Sequence, residues 1–202
     1  HDNKFTAKLR KNYVTLIYLT LQKNLIMPKA KFVKESHTIM TEMVFPNDTN
    51  TLSNLMGGNL MRLMDIAGAI CAQKHTNRIV VTASVDNVSF VSPIPLGNVV
   101  TIEARITRAF TTSMEVVVDV YSANIPAGTK NKTNQAFLTF VAVDQSGRPI
   151  EVPEVLPETE EEKEQYAKAL YRRQLRLLMA GRLKAAAAEE LKKTFFEQSA
   201  SI

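Results

Sequence analysis

From Leu60 to Cys71 the chain reads LMRLMDIAGAIC, apolar on nearly every side of a helical wheel, with Asp65 in its middle. That pattern predicts a helix buried all round. It opens at the pair Gly57-Gly58, behind a polar loop from Asp48 to Asn54. A strand is expected before it in SHTIMTEMVF. After it, residues 79 to 91 are rich in Val, Ser, Thr and Phe and are ended by Pro93, Pro95 and Gly97. In VVTIEARITRAF, Val100, Ile102, Ala104 and Ile106 alternate with Thr101, Glu103, Arg105 and Thr107, the period of a strand with one face in a core. SMEVVVDVYSA and NQAFLTFVAVD are two more strands, the second closed by the turn DQSGRP. No helical crossover separates these strands. The expected fold is therefore α+β, an antiparallel sheet curled around one long helix.

Pro153 and Pro157 break the strand pattern, and an Ala-, Glu-, Lys- and Leu-rich segment then reads as helix to near the chain end. Its acids, Glu158 to Glu164, precede its bases, Arg172, Arg173 and Arg176, in the sense that suits a helix dipole. Gly181 is a candidate break within it. Three regions follow: residues 1–26 as an N-terminal extension, 27–152 as the main domain, and 153–202 as a C-terminal helical extension.

Charge changes little in this picture. The formal charge is +5, but five bases and one acid within residues 1–26 account for +4 of it. The remainder has no electrostatic footprint for a nucleic acid. The run NYVTLIYLTL follows a basic stretch, yet no small-x-small cleavage site follows it. An extension before a start at Met27 is expected over a secretion signal. One cysteine rules out an intramolecular disulfide and a Cys-based zinc site, and suits a cytoplasmic protein. No apolar run is long enough to span a membrane.

The chain carries no G-x-S-x-G elbow, P-loop, G-x-G-x-x-G or H-E-x-x-H, and its three histidines form no sequence cluster. An enzyme built from it would use carboxylate or amide side chains and backbone dipoles; no metal is expected. A helix beginning at Gly57-Gly58 offers unpaired N–H groups to which a substrate carbonyl can come close. Asn54 sits three residues ahead of the pair. Asp65 lies eight residues beyond Gly57, roughly 12 Å along the helix. Taken singly, Asn54 is also a candidate helix cap, the glycines a tight turn, and Asp65 a structural acid paired with Arg62.

The stretches PNDTNTLSNLMGGNLMRLMDIAGAICAQKH, TASVDNVSFVSPIPLGNVVTIEARI, TTSMEVVVDVYSA and FLTFVAVDQSGRPIEVP, in this order, resemble the hotdog-fold acyl-CoA thioesterases. Within them the branch of bacterial YciA-type enzymes and mammalian brain-type acyl-CoA hydrolase is most similar, over about residues 36–181. The resemblance implies hydrolysis of fatty acyl-CoA to free acid and CoA, with no cofactor beyond the CoA of the substrate. It implies a homodimer paired edge to edge, with active sites at the interface, and assembly into a hexamer as a trimer of dimers. It places Asn54 at the catalytic position before the glycines, Gly57 or Gly58 as oxyanion donor, and Asp65 at the spacing of a helix-borne acid. Substrate contacts are implied for Ser84, Val85, Thr112 and Ser113. Where related sequences often read Gly-Arg-Thr-Ser, this chain has Phe110-Thr111-Thr112-Ser113, so another base must meet the CoA phosphates. Arg172 and Arg173 are candidates, for that role or for holding dimers together; the alternative is a solvated helix face. Asn54 cannot act as a base, which leaves Asp65, of the same or the partner chain. The rival readings are a non-catalytic acyl-CoA binder and a hotdog hydratase. The latter needs a histidine near the helix mouth, and none lies between His37 and His75.

Overall fold

The computed structural model describes residues 30–86, 88 and 90–184. The expectations for residues 1–26 and for the chain beyond 184 lie outside these. In chain order the elements are β1 (Lys31–Phe32), α1 (Val33–Ser36), β2 (Thr38–Met43), a 3-10 turn (Pro46–Asp48), α2 (Gly57–Thr76) and β3 (Ile79–Asp86). They continue with β4 (Val99–Ala109), β5 (Ser113–Asn124), β6 (Thr129–Val143), β7 (Val155–Leu156) and α3 (Glu160–Met179). Five strands form one sheet in the order β2-β4-β5-β6-β3, every pair antiparallel. Register shifts at Thr82/Ser84, Ile106/Arg108 and Val120/Tyr121 add twist and let the sheet curl over α2.

Alternation decides which side chains meet the helix. Val100, Ile102, Ala104 and Ile106 of β4, the even residues 114 to 120 of β5, and the even residues 136 to 142 of β6 all point inward. They meet Leu60, Leu63, Met64, Ala67, Cys71 and Ala72, a single stripe at helical spacing. Gly68 belongs to that stripe because a Cβ there would stand 2.9 Å from the ring of Phe140.

The helix is not buried all round, as its sequence predicts. Met61 remains 41% exposed and Ile70 38%. The sheet is five strands wide and covers one side of α2, so among the described residues the second apolar face is left partly uncovered. Two strand limits also differ. β3 ends at Asp86 rather than near 91, and β6 starts at Thr129, because its polar lead-in TKNKT pairs with the end of β5.

The segment after Pro153 lies against the domain. β7 pairs in parallel with β1, and Val155 is part of the core. Thr159 caps α3, its Oγ1 accepting from the N–H of Glu162 at 3.2 Å while its own N–H donates to the Glu162 carboxylate at 3.1 Å. The helix stops at Met179, ahead of Gly181, whose φ is +67°.

This helix crosses the outer face of the sheet, where the odd residues of β5 point. Glu115 is fully buried there; it accepts from Thr107 Oγ1 at 2.6 Å and from Arg172 Nη2 at 2.7 Å and Nε at 3.1 Å. Arg172 also stacks on Phe137, 3.8 Å from the ring centre. Arg176 pairs with Asp86, and Arg105 with Asp119 at 2.7 Å. Burial raises the affinity of Asp119 for a proton. Lys132, Gln135 and Arg105 more than offset this and hold its pKa below the ordinary value.

Candidate active site

The loop ahead of α2 is held by its own short polar side chains. Asn50 Oδ1 accepts from the N–H groups of Leu52 at 2.9 Å and Asn54 at 3.2 Å, and the Asn50 N–H donates to the Asn54 carbonyl at 2.8 Å. Ser53 takes the left-handed conformation, φ 56°, to complete the turn. Leu55 donates to the Ile94 carbonyl and Met56 to that of Asp48, so two loops brace the helix mouth.

Met56, not Asn54, is the N-cap residue, and among the described residues no side chain caps the first turn. The leading N–H groups of α2 are therefore left to the site. The two glycines differ. A Cβ on Gly57 would stand 3.0 Å from the ring of Phe90, whereas Gly58 faces open space.

Gly58 lies in the wall of a cavity of about 320 Å³ with Met61, Met64, Asp65, Val85, Val88 and Leu138. Arg62 closes the same wall. Asp65 is half-buried, and its Oδ1 accepts from Thr82 Oγ1 of β3 at 2.6 Å. Among the described residues it forms no ion pair with Arg62. A carboxylate fixed through one oxygen, in an apolar cavity, beside the open end of a helix: this arrangement can deliver a base and an oxyanion donor to one carbonyl. A larger cleft of about 760 Å³ lies at the other end of α2, over Gln73, Asn77 and Asp144. There the Asp144 carboxylate is already taken by Ser146 and the N–H of Arg148.

The remaining candidates are divided. Asn54 bridges to Pro95 through its backbone, and its carboxamide makes no hydrogen bond among the described residues; it is not in the cavity wall. Val85 lines the cavity, while Ser84, one residue before it on the strand, points to the other face of the sheet. Thr112 and Ser113 lie at the β4–β5 turn, where Ser113 Oγ accepts from Arg173 Nη1 at 3.2 Å. Arg172 is committed to Glu115 and Arg176 to Asp86, so this face of α3 is not a solvated one.

Sequence reasoning missed Thr82, Phe90 and Asn50. Thr82 had a legible signal, since it pairs with inward-facing Phe140 and so is a polar residue at a core register of β3. Phe90 had none.

A model of the thioesterase superfamily matches residues 52–128. An uncharacterized acyl-CoA thioester hydrolase of Bacillus subtilis, YkhA, is 44% identical over 135 residues, 67% of this chain and 78% of that one. The cytosolic acyl coenzyme A thioester hydrolase of Rattus norvegicus is 35% identical over 144 residues, 70% of this chain but 38% of that longer one. Among solved structures, a hexameric acyl-CoA thioesterase superposes with a TM-score of 0.74 at 43% identity, covering 75% of this chain and 97% of that one. The acyl-CoA hydrolase of Staphylococcus aureus, solved with butyryl coenzyme A and coenzyme A, gives a TM-score of 0.70 at 38% identity over 76% and 95%.

Proposed function

We propose, from the premise that this chain belongs to the hotdog-fold acyl-CoA thioesterases of the thioesterase superfamily, that it hydrolyses fatty acyl-CoA at the cavity beside Gly58. The observation that carries this reading is that Asp65 and the open helix mouth share one apolar wall. A thioester carbonyl has little resonance stabilisation, so water attacks it without a protein nucleophile. Asp65 takes the proton of that water, and Thr82 holds the carboxylate in place. The N–H of Gly58 and the positive end of α2 stabilise the oxyanion. The carbon–sulfur bond then breaks, and the proton passes to the CoA thiolate. Met61, Met64, Val85, Val88 and Leu138 receive the acyl chain. The reaction needs no cofactor beyond the CoA of the substrate.

Asn54 orients water or the carbonyl at a site that a second copy completes. Support for this assembly comes from the edge position of β3, with Val81 48% and Val85 42% exposed, and from the partly uncovered second face of α2. Edge-to-edge pairing there makes a dimer. Three dimers make a hexamer, the state named for several solved relatives. No helix among the described residues is long and apolar enough to cross a membrane. A cytoplasmic location agrees with the cytosolic relatives. The test is release of free thiol from a panel running from acetyl- to palmitoyl-CoA. Wild-type protein is expected to release it, and Asp65→Asn to lower turnover by roughly 10²- to 10⁴-fold. A wild-type protein that binds these esters but leaves them intact refutes the reading.

A further inference from the structure

The outer face of the sheet holds two guanidinium groups that the ion pairs of α3 leave out. Arg108 of β4 and Arg173 of α3 both approach the ring of Phe110, at 5.8 and 4.1 Å from its centre. The two charges thus lie within about 10 Å of each other, close to the Debye length at ordinary ionic strength, so screening does not separate them. Neither has a carboxylate partner among the described residues, whereas Arg105, Arg172 and Arg176 each have one. Each donates one bond to a neutral oxygen, Arg108 to the carbonyl of Tyr166 at 3.1 Å and Arg173 to Ser113 Oγ at 3.2 Å. Most of their five N–H donors remain unspent. Arg108 also lies over Tyr166, 4.2 Å from the ring centre, so aromatic rings and hydrogen bonds fix both planes in advance. The crowding is unfavourable: burial, then the neighbouring Arg176 and Arg108, lower the pKa of Arg173 from its ordinary value.

We propose that Arg108 and Arg173, set around Phe110, form a binding site for a phosphomonoester. Two uncompensated positive charges match a group that carries about −1.5 to −2 at neutral pH, and guanidinium forks fit phosphate oxygens in pairs. A carboxylate leaves one of the two charges unmatched. The phosphate has two possible sources, the 3′-phosphate of the CoA substrate and a free nucleotide. The first source rests on the acyl-CoA reading; the site itself does not.

Calorimetry with adenosine 3′,5′-bisphosphate tests the site on the full-length protein. Wild type is expected to bind it, more weakly as salt rises. The double variant Arg108→Gln, Arg173→Gln is expected to bind roughly tenfold or more weakly, as loss of charge-assisted hydrogen bonds predicts. Glutamine retains a donor for Ser113, and circular dichroism checks that α3 stays docked. The double lysine variant, which keeps the charge, is expected to hold most of the affinity. Absence of binding to wild type, or equal binding by the glutamine variant, overturns the proposal. The source is read from KM. If the phosphate is the substrate's, acyl-dephospho-CoA has a higher KM than acyl-CoA in wild type but not in the glutamine variant. If it belongs to a free nucleotide, the two esters share one KM while bisphosphate binding still depends on the arginines. A protein without thioesterase activity sinks the acyl-CoA reading and leaves the calorimetric result to decide the site.

Discussion

Replacing Thr82 with valine removes one hydroxyl and almost nothing else. The side chain keeps its branching and volume, and valine suits a strand at least as well as threonine. What is lost is the 2.6 Å bond from Thr82 Oγ1 to Asp65 Oδ1, a short bond to a carboxylate. Hydrogen bonds to charged groups contribute about 1.5–3 kcal/mol. If that energy serves to hold the base towards the water, turnover falls by roughly 10- to 150-fold, at about 1.4 kcal/mol per decade. Because the bond touches the base and not the acyl chain, kcat takes the loss and KM moves little. Thr82→Ser restores the donor and is expected to restore most of the rate. The assay is thiol release under saturating acyl-CoA, paired with urea denaturation to show that stability is unchanged. If Thr82→Val keeps its turnover within threefold while Asp65→Asn loses it, the hydroxyl does not position the base, and Asp65 is oriented by something else.

Three further outcomes follow from buried groups elsewhere. Arg172→Ala strands the fully buried Glu115 carboxylate and is expected to cost about 3–5 kcal/mol in urea unfolding, whereas Arg172→Met with Glu115→Leu costs far less; equal losses would contradict this. His75 is buried, its Nε2 bonded to the Pro153 carbonyl at 2.9 Å, and burial lowers its pKa. Its contribution to stability is therefore complete above the unfolded pKa of about 6.5 and lost as pH falls below it; the urea midpoint should drop between pH 7.5 and 5.5, and less so in His75→Gln. Burial pushes the Cys71 thiol up to about 12 despite its hydrogen bond from Ser36. A disulfide reagent at pH 8 should leave the native protein unlabelled and label it on denaturation.

The inner layer of the fold was legible because two periods agree there. The alternation of Val100, Ile102, Ala104 and Ile106 and the stripe from Leu60 to Ala72 are complementary surfaces, and each is written in local sequence. The outer layer was not. Glu115 and Asp119 stand where an alternating strand shows its polar side, so they read as solvated; only tertiary contact with α3, Arg105 and Lys132 makes them buried. The same limit applies to α2, where apolar composition carries no sign of which face its own chain covers. Within the site, spacing alone brought Asp65 and Gly58 to notice, since helix geometry converts sequence distance into position. Asn54 sits on a loop, where no such conversion exists, and it is not part of the wall that holds Asp65.

The helix α3 is the last described element to leave the ribosome, and it is the cover of a finished sheet. Until it arrives, the outer surface of the nascent sheet displays Thr107, Ser113, Glu115, Asp119 and Thr139 around the apolar Val117 and Phe137. An apolar surface in that place would be an adhesive for any other unfinished chain during the interval of synthesis. Charges instead keep the incomplete domain hydrated, and each finds its counter-charge on the sheet or on the helix that follows. A shortened chain lacking α3 is thus expected to leave Glu115 in water without its base, with Val117 and Phe137 uncovered beside it.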